Sequence, residues 1–301
     1  MDSSSAHEQP GPATDRVERL VRFVLDRAER NSGDLPAFPG VAARLVDLLE
    51  HPEAALHEVE ALVSQDPAVS SQLLRVANSL MYRGAMPIET VPQAVIRLGF
   101  RETAQVAMTA ACRVLFSLED RAELEIHPAL WRSLWLDSLL GGYGGRLLSR
   151  ELKRGQPDRI FLAAMFRNLG SLLILKIVAR ALVRGRLPSP PTEAEMRDLI
   201  DVLHPRLGAT YLRRCRLPDH VPDTAARHHR IDLPCDDEHV DLHVVRLADG
   251  IVDRIGLAPF ATGSLGPLAE ESAAFLDVSP ERLEYFELQF RELAGQLEAL
   301  S

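Results

Sequence analysis

Two polar side chains stand where the sequence is otherwise almost wholly apolar. In the run AAMFRNLGSLLIL, residues 163–175, Arg167 and Asn168 are adjacent among aliphatic neighbours. A helix that is apolar on all sides is a buried helix, so the pair is expected inside the fold. A charge there is costly unless it finds partners. A guanidinium has no lone pair to offer a cation and does not deprotonate in proteins, and its fixed charge repels a divalent metal. The pair suits a structural role or contact with an anionic ligand better than metal-assisted hydrolysis.

The second group with chemical potential is the late histidines: His204, His220, His228, His229, His239 and His243. His239 and His243 are four apart and share a helix face, the spacing of a metal-binding pair, but no HExxH glutamate accompanies them. The plainer reading is hydrogen-bonded surface or buried imidazoles. The GGYGG stretch at 141–145 lacks the preceding strand and following Lys-Ser/Thr of a phosphate loop. Its glycines each cost about 1 kcal/mol in a helix interior, a cost that close helix packing can offset.

These residues need elements to position them, and the patterning supplies helices. Aromatics are 5% of the 301 residues and the apolar fraction is 46%, so the core is built from aliphatics. Val17, Leu20, Val21, Val24, Leu25 and Ala28 form one helical stripe, stopped by Asn31, Ser32 and Gly33. Asp66 and Pro67 suit the cap and first position of another helix, with Leu73, Leu74, Val76, Ala77 and Leu80 on its buried face. Thr90 and Gly99 bound a short helix, and RETAQVAMTAACRVLF continues helically. A long helix runs over 127–153, a buried one over 158 to about 183, and others over 192–216, 219–230 and 238–255. The last starts at Ser279-Pro280 and carries Leu283, Phe286, Phe290, Leu293 and Leu297 near heptad spacing. No alternating strand pattern and no internal repeat is found. The expected fold class is all-α, with twelve or so helices.

A net charge of −9 argues against a general nucleic-acid binder. DPAVSSQLLRVANS could pass for a helix-turn-helix, but its buried face favours packing. The basic residues include only two lysines, Lys153 and Lys176. Cys112, Cys215 and Cys235 are far apart and read as reduced thiols. No apolar leader is read in MDSSSAHEQPGPATD, and the apolar run around 163–175 reads as core rather than a membrane span. A cytoplasmic protein with no membrane contact is expected.

Ordered motifs then point to a family. LPAFPGVAARLVDLLEHPEA, VSQDPAVSSQLLRVANSLMY and IETVPQAVIRLGF carry a Leu35-Pro36 opening, Asp66-Pro67, the stretch Leu73 to Ser79 and the turn Ala94 to Gly99. LWRSLW (130–135), FLAAMFRNLG (161–170), HPRLGATYL (204–212), ARHHR (226–230) and VVRLADGI (244–251) follow in order. Together, over roughly residues 30 to 255, they resemble the HDOD family, the HD-related output domains of bacterial signalling. The resemblance implies a multi-helical HDOD fold with an N-terminal helical subdomain (15–120) and an HD-like helical subdomain (121–256). The small, polar residues 1–14, with Pro10 and Pro12, are expected to form a disordered tail, and residues 257–301 a C-terminal helical tail.

The resemblance also implies a comparison with HD phosphohydrolases, which bind divalent metal through a His, a His-Asp doublet and a distant Asp. Here Arg167-Asn168 occupies the doublet, Ser133 or a neighbour falls at the first His, and only Asp249 matches. One Asp falls short of the roughly three protein ligands a hydrolytic site needs. Asp249 is the expected partner of Arg167. His204, His228 and His229 fall at positions lining the relic cleft. Ser133, Arg167, Asn168, His204, His228, His229 and Asp249 are therefore expected to contact a ligand or partner, with no catalytic residue, no metal and no cofactor. The expected function is a catalytically inactive regulatory module binding signalling proteins, such as a cyclic-di-nucleotide enzyme or a response regulator. Two alternatives remain open: a phosphohydrolase rebuilt on the late histidines and Asp249, and a nucleotide sensor with Arg167 on a phosphate. The C-terminal helix is expected to dock on its own domain, a homodimer seam being the sharper alternative.

Overall fold

The computed structural model describes residues 12–30, 35–51, 53–79, 82, 84, 86–116 and 121–300. Helices α1 (Pro12–Glu29), α2 (Gly40–Glu50), α3 (Leu56–Ser64), α4 (Pro67–Ala77) and α5 (Val91–Phe116) form the first part of the chain. The short α6 (Arg121–Leu124) leads to α7 (Pro128–Leu152), α8 (Pro157–Phe166), α9 (Leu169–Val183), α10 (Glu193–Arg214), α11 (His220–Arg227) and α12 (Val240–Arg254). Helices α13 (Pro267–Phe275) and α14 (Pro280–Leu300) complete it. No strand occurs among the described residues, and the fold is all-helical.

Local chemistry sets the ends as the sequence suggests. Asp66 Oδ1 accepts from the amides of Ala68 (2.9 Å) and Val69 (3.1 Å), and Pro67 takes the first position of α4. Gly99 breaks α5 with φ 77° and ψ 176°, a left-handed turn that a side chain would disfavour. Thr192 and Glu195 close a reciprocal cap on α10.

Two expectations are corrected. The tail expected to be disordered over 1–14 is helical from Pro12; its residues 1–11, the stop at Asn31 to Gly33 and the burial of Leu80 lie outside the described residues. The single buried helix expected over 158–183 is two helices, because Arg167 and Asn168 form a turn between α8 and α9. α13, which lacks an unambiguous apolar stripe, was not foreseen.

Two apolar clusters build the core. One joins α1–α5 to the start of α7 and to α8–α11; the other joins the rest of α7 and part of α8 to α12–α14. α8 serves both, with Phe161, Leu162, Met165 and Phe166 in the first and Ile160, Ala163 and Ala164 in the second. All five stripe residues of α14 are buried on the chain itself, and a Cβ on Gly144 of α7 would strike the Phe290 ring. The GGYGG segment is thus a packing surface. A polar network crosses from α5 to α7 and α8: Arg146 meets Glu102 through both terminal nitrogens (2.7 and 3.0 Å), and Gln105 donates to Asp158 (2.9 Å). The segment Pro157–Val183 is long and apolar enough to cross a membrane, but 94% of its most apolar window is buried inside the fold.

Candidate functional site

The turn between α8 and α9 delivers Arg167 into the interior, where its side chain is fully buried. Its Nη2 meets Asp137 Oδ1 at 2.5 Å and its Nε meets Asp249 Oδ1 at 2.6 Å. Nη1 donates to the carbonyl oxygens of Ala164 (2.9 Å) and Asp137 (3.2 Å). All three guanidinium nitrogens are satisfied, which answers the burial cost. Gly141 makes the room: a Cβ there would collide with Nη1 of Arg167.

Asn168 turns its amide nitrogen to Asp137 Oδ2 (3.0 Å) and Asp249 Oδ1 (3.4 Å). Its Oδ1 faces His228 Nε2 at 3.1 Å. The two carboxylates behave differently. Burial pushes the Asp137 carboxyl up. Burial also opposes ionisation of Asp249, but the Arg167 charge outweighs it and holds Asp249 well below the usual carboxylate range. Asp249 stays at the edge of the cluster, with 21% of its side chain exposed.

Beside it lie three imidazoles. His204 projects from α10, and His228 and His229 follow α11; one ring nitrogen from each lies within 4.8 Å of the others. His204 and His228 are buried and His229 is exposed. His204 Nδ1 sits 2.8 Å from the Ile200 carbonyl, and His228 Nδ1 sits 3.1 and 3.0 Å from the carbonyls of Thr224 and Ala225. A carbonyl only accepts, so both Nδ1 atoms carry the proton. The two Nε2 atoms lie 3.3 Å apart, and that of His228 also faces the Asn168 oxygen. Burial pushes His204 down to about 4 and holds His228 well below the ordinary value. Close helix crossing sets this up: a Cβ on Gly170 of α9 would strike the His204 carbonyl. Arg246 of α12 donates to the His228 carbonyl (2.8 Å) and also to that of Arg230, fixing the segment that carries both later rings.

A cleft of about 230 Å³ opens onto this group, lined by Asn168, His204, His229 and Asp249 together with Arg197 and Phe260. Arg197 lies over the Phe260 ring, 5.2 Å from its centroid.

Six of the seven expected site residues converge here: Arg167, Asn168, His204, His228, His229 and Asp249. Ser133 does not join them; its hydroxyl donates to the Leu130 carbonyl at 3.1 Å. Asp137, one turn later on α7, takes the place expected of it. The signal for Asp137 was a carboxylate amid the apolar face of a long helix, the same signal that singled out Arg167. Arg246 was also missed, because an arginine in an amphipathic helix ordinarily faces solvent. The His239–His243 pair does not form a joint site. His243 contacts Ser272 Oγ (2.9 Å) and the Pro234 carbonyl (3.0 Å), whereas His239 pairs with Asp236 (2.6 Å).

A family model described as the HDOD domain matches residues 35–231. An uncharacterized protein of Treponema pallidum (strain Nichols) is 25% identical over 229 residues, covering 72% of this chain and 41% of its own length. The chain thus spans less than half the length of this curated relative. An HDOD domain protein from Geobacter sulfurreducens, of unknown function, superposes with a TM-score of 0.70 at 22% identity, covering 95% of this chain and 99% of its own. A provisionally named metal-dependent phosphohydrolase from Shewanella amazonensis SB2B gives a TM-score of 0.68 at 21% identity, covering 94% and 99%. At these identities the likeness to solved structures establishes a shared fold.

Proposed function

The chain belongs to the HDOD domain family, and from that premise we propose that it is a regulatory module that binds other signalling proteins and hydrolyses nothing. One observation carries the reading. The Arg167 guanidinium lies between Asp137 and Asp249, 2.5 and 2.6 Å from their oxygens. Those carboxylates are the anionic ligands a hydrolytic cation would need, and a permanent positive charge already engages both. Two-metal phosphoester cleavage places its ions about 3.5–4 Å apart to clamp both attacking and leaving oxygens. With a guanidinium in the first of those places, no such pair can form. The partners proposed are signalling proteins of the cyclic-di-nucleotide enzyme or response-regulator class.

A second reading has one feature in its favour. The three imidazoles beside Asp249 could serve a rebuilt hydrolytic site, as the name of the Shewanella relative would suggest. Turnover separates the two. Purified protein is assayed against bis(4-nitrophenyl) phosphate and cyclic dinucleotides with added Mn²⁺, Fe²⁺ or Zn²⁺. The regulatory reading expects no rate above the protein-free control. Metal-dependent turnover that disappears in Asp249→Asn would replace it with the hydrolase.

A further inference from the structure

Helices α4, α5, α7 and α14 surround a second cavity, of about 310 Å³, which shares no lining residue with the cleft at Asp249. Its wall is aliphatic, built from Val106, Ala110, Leu139, Leu293 and Leu297, with the Trp135 ring beside them. The hydroxyls that reach it are engaged: Thr109 meets Tyr143 at 3.4 Å, and Tyr82 donates to the Glu102 carboxylate. Packed interiors leave few voids larger than a water molecule, and an apolar cavity of about 150 Å³ already takes a benzene. A space twice that size, with its hydroxyls engaged, suits a plain hydrocarbon chain better than a base or a sugar.

The rim has the opposite character. Arg75 of α4 and Arg113 of α5 are exposed there, and none of the described residues lining the cavity is an acid, although the chain carries a net charge of −9. The Arg75 guanidinium has no hydrogen bond or ion pair among the described residues. The adjoining cavity, of about 260 Å³, shows the contrast: it sets Arg146 and Arg150 against Glu151 and Glu292. A guanidinium binds a carboxylate through two parallel hydrogen bonds, so an apolar pit below an uncompensated arginine is complementary to an amphipathic monoanion.

We propose that this cavity binds a medium-chain carboxylate, with its hydrocarbon chain between α5, α7 and α14 and its carboxylate on Arg75, in the positive field that Arg113 shares. A chain held there touches α4, α5, α7 and α14 at once and so ties the N-terminal helices to the C-terminal helix. The inference goes beyond the regulatory reading and does not depend on it. Failure to bind leaves the Arg167 argument untouched, and turnover at Asp249 leaves the cavity untouched.

The test exploits Trp135, one of two tryptophans in the chain. Full-length protein carrying Trp131→Phe, in which Trp135 is the remaining tryptophan, is titrated at pH 7.5 with 10-bromodecanoate, whose bromine quenches an indole in contact with it. The expected result is saturable quenching at one equivalent, reversed by decanoate. The uncharged 10-bromodecan-1-ol is expected to bind about tenfold or more weakly, the worth of a hydrogen bond to a charged group. Arg75→Gln, at an exposed position, is expected to remove most of that preference, and Ala110→Phe, which fills the cavity, to abolish quenching. Quenching that does not saturate, equal affinity for acid and alcohol, or binding that neither Arg75→Gln nor Ala110→Phe alters overturns the proposal. So does Trp135 emission that shifts with protein concentration in the absence of probe, since a second copy of the chain would then fill the cavity.

Discussion

Arg167 and Asp137 are bound by more than proximity, and the energetic asymmetry of buried ions makes their relation measurable. Removing one partner of a buried pair costs about 3–5 kcal/mol, because the other charge is left uncompensated. Arg167→Met keeps much of the volume and strands two carboxylates. Urea denaturation at pH 7.5 is expected to show a loss of that size. Replacing Asp137 by Leu in the same chain should recover a large part of it. A single variant as stable as the parent would mean that the guanidinium does not hold the two carboxylates. Arg167 was legible in the sequence because a charge inside an all-apolar run must have partners. Asp137 was not, since the family resemblance directed attention to Ser133, one turn earlier. His204, His228 and His229 were legible as neighbours of the cleft, but not as three rings with nitrogens within 4.8 Å of one another. That depends on how closely α9, α10 and α11 pack.

At the scale of elements, the cluster exists because helices approach more closely than ordinary side chains permit. Gly141 on α7 leaves space for the Arg167 guanidinium, and Gly170 on α9 lets the His204 backbone pass. Gly141→Ala puts a methyl group onto Nη1 of a fully buried side chain, and overpacking of this kind costs about 1–3 kcal/mol. Gly295→Ala on α14 is the control, since nothing lies within 4 Å of its added Cβ, and a helical Gly→Ala is expected to be neutral or stabilising by up to about 1 kcal/mol. Equal thermal midpoints for the two variants would contradict this account. Most helices were legible, since caps such as Asp66-Pro67 and breaks such as Gly99 act within a few residues. The division of α8 from α9 was not. Asn168 stands at the cap position of α9 and Gly170 follows it, but within an all-apolar run these two residues read as part of one buried helix.

For the whole molecule, the buried histidines couple folding to pH. His204 and His220 are each pushed down to about 4 by burial, and His228 is held well below the ordinary value for the same reason. In the unfolded chain these rings titrate near 6.5. Between those values the unfolded chain binds more protons, so stability rises with pH. Their contribution is complete above about pH 6.5 and is lost as pH falls toward 4. The chain should show a falling urea midpoint from pH 7.5 to 5.0; a flat profile would mean that the rings are already protonated in the native state. The all-helical fold and the family were legible because many ordered motifs spread over most of the chain. The joining of the N-terminal helices to α7 and α8 through Glu102, Arg146, Gln105 and Asp158 was not, since each of those residues reads alone as a solvated charge or amide.

The central claim is that a guanidinium stands where a hydrolase would hold a cation. Crystals soaked in Mn²⁺ test it most directly, through an anomalous difference map at the manganese edge. The account predicts that Arg167 stays between Asp137 and Asp249, with no anomalous peak in contact with Asp137. A manganese peak bridging those two carboxylates, with the arginine displaced, would contradict it.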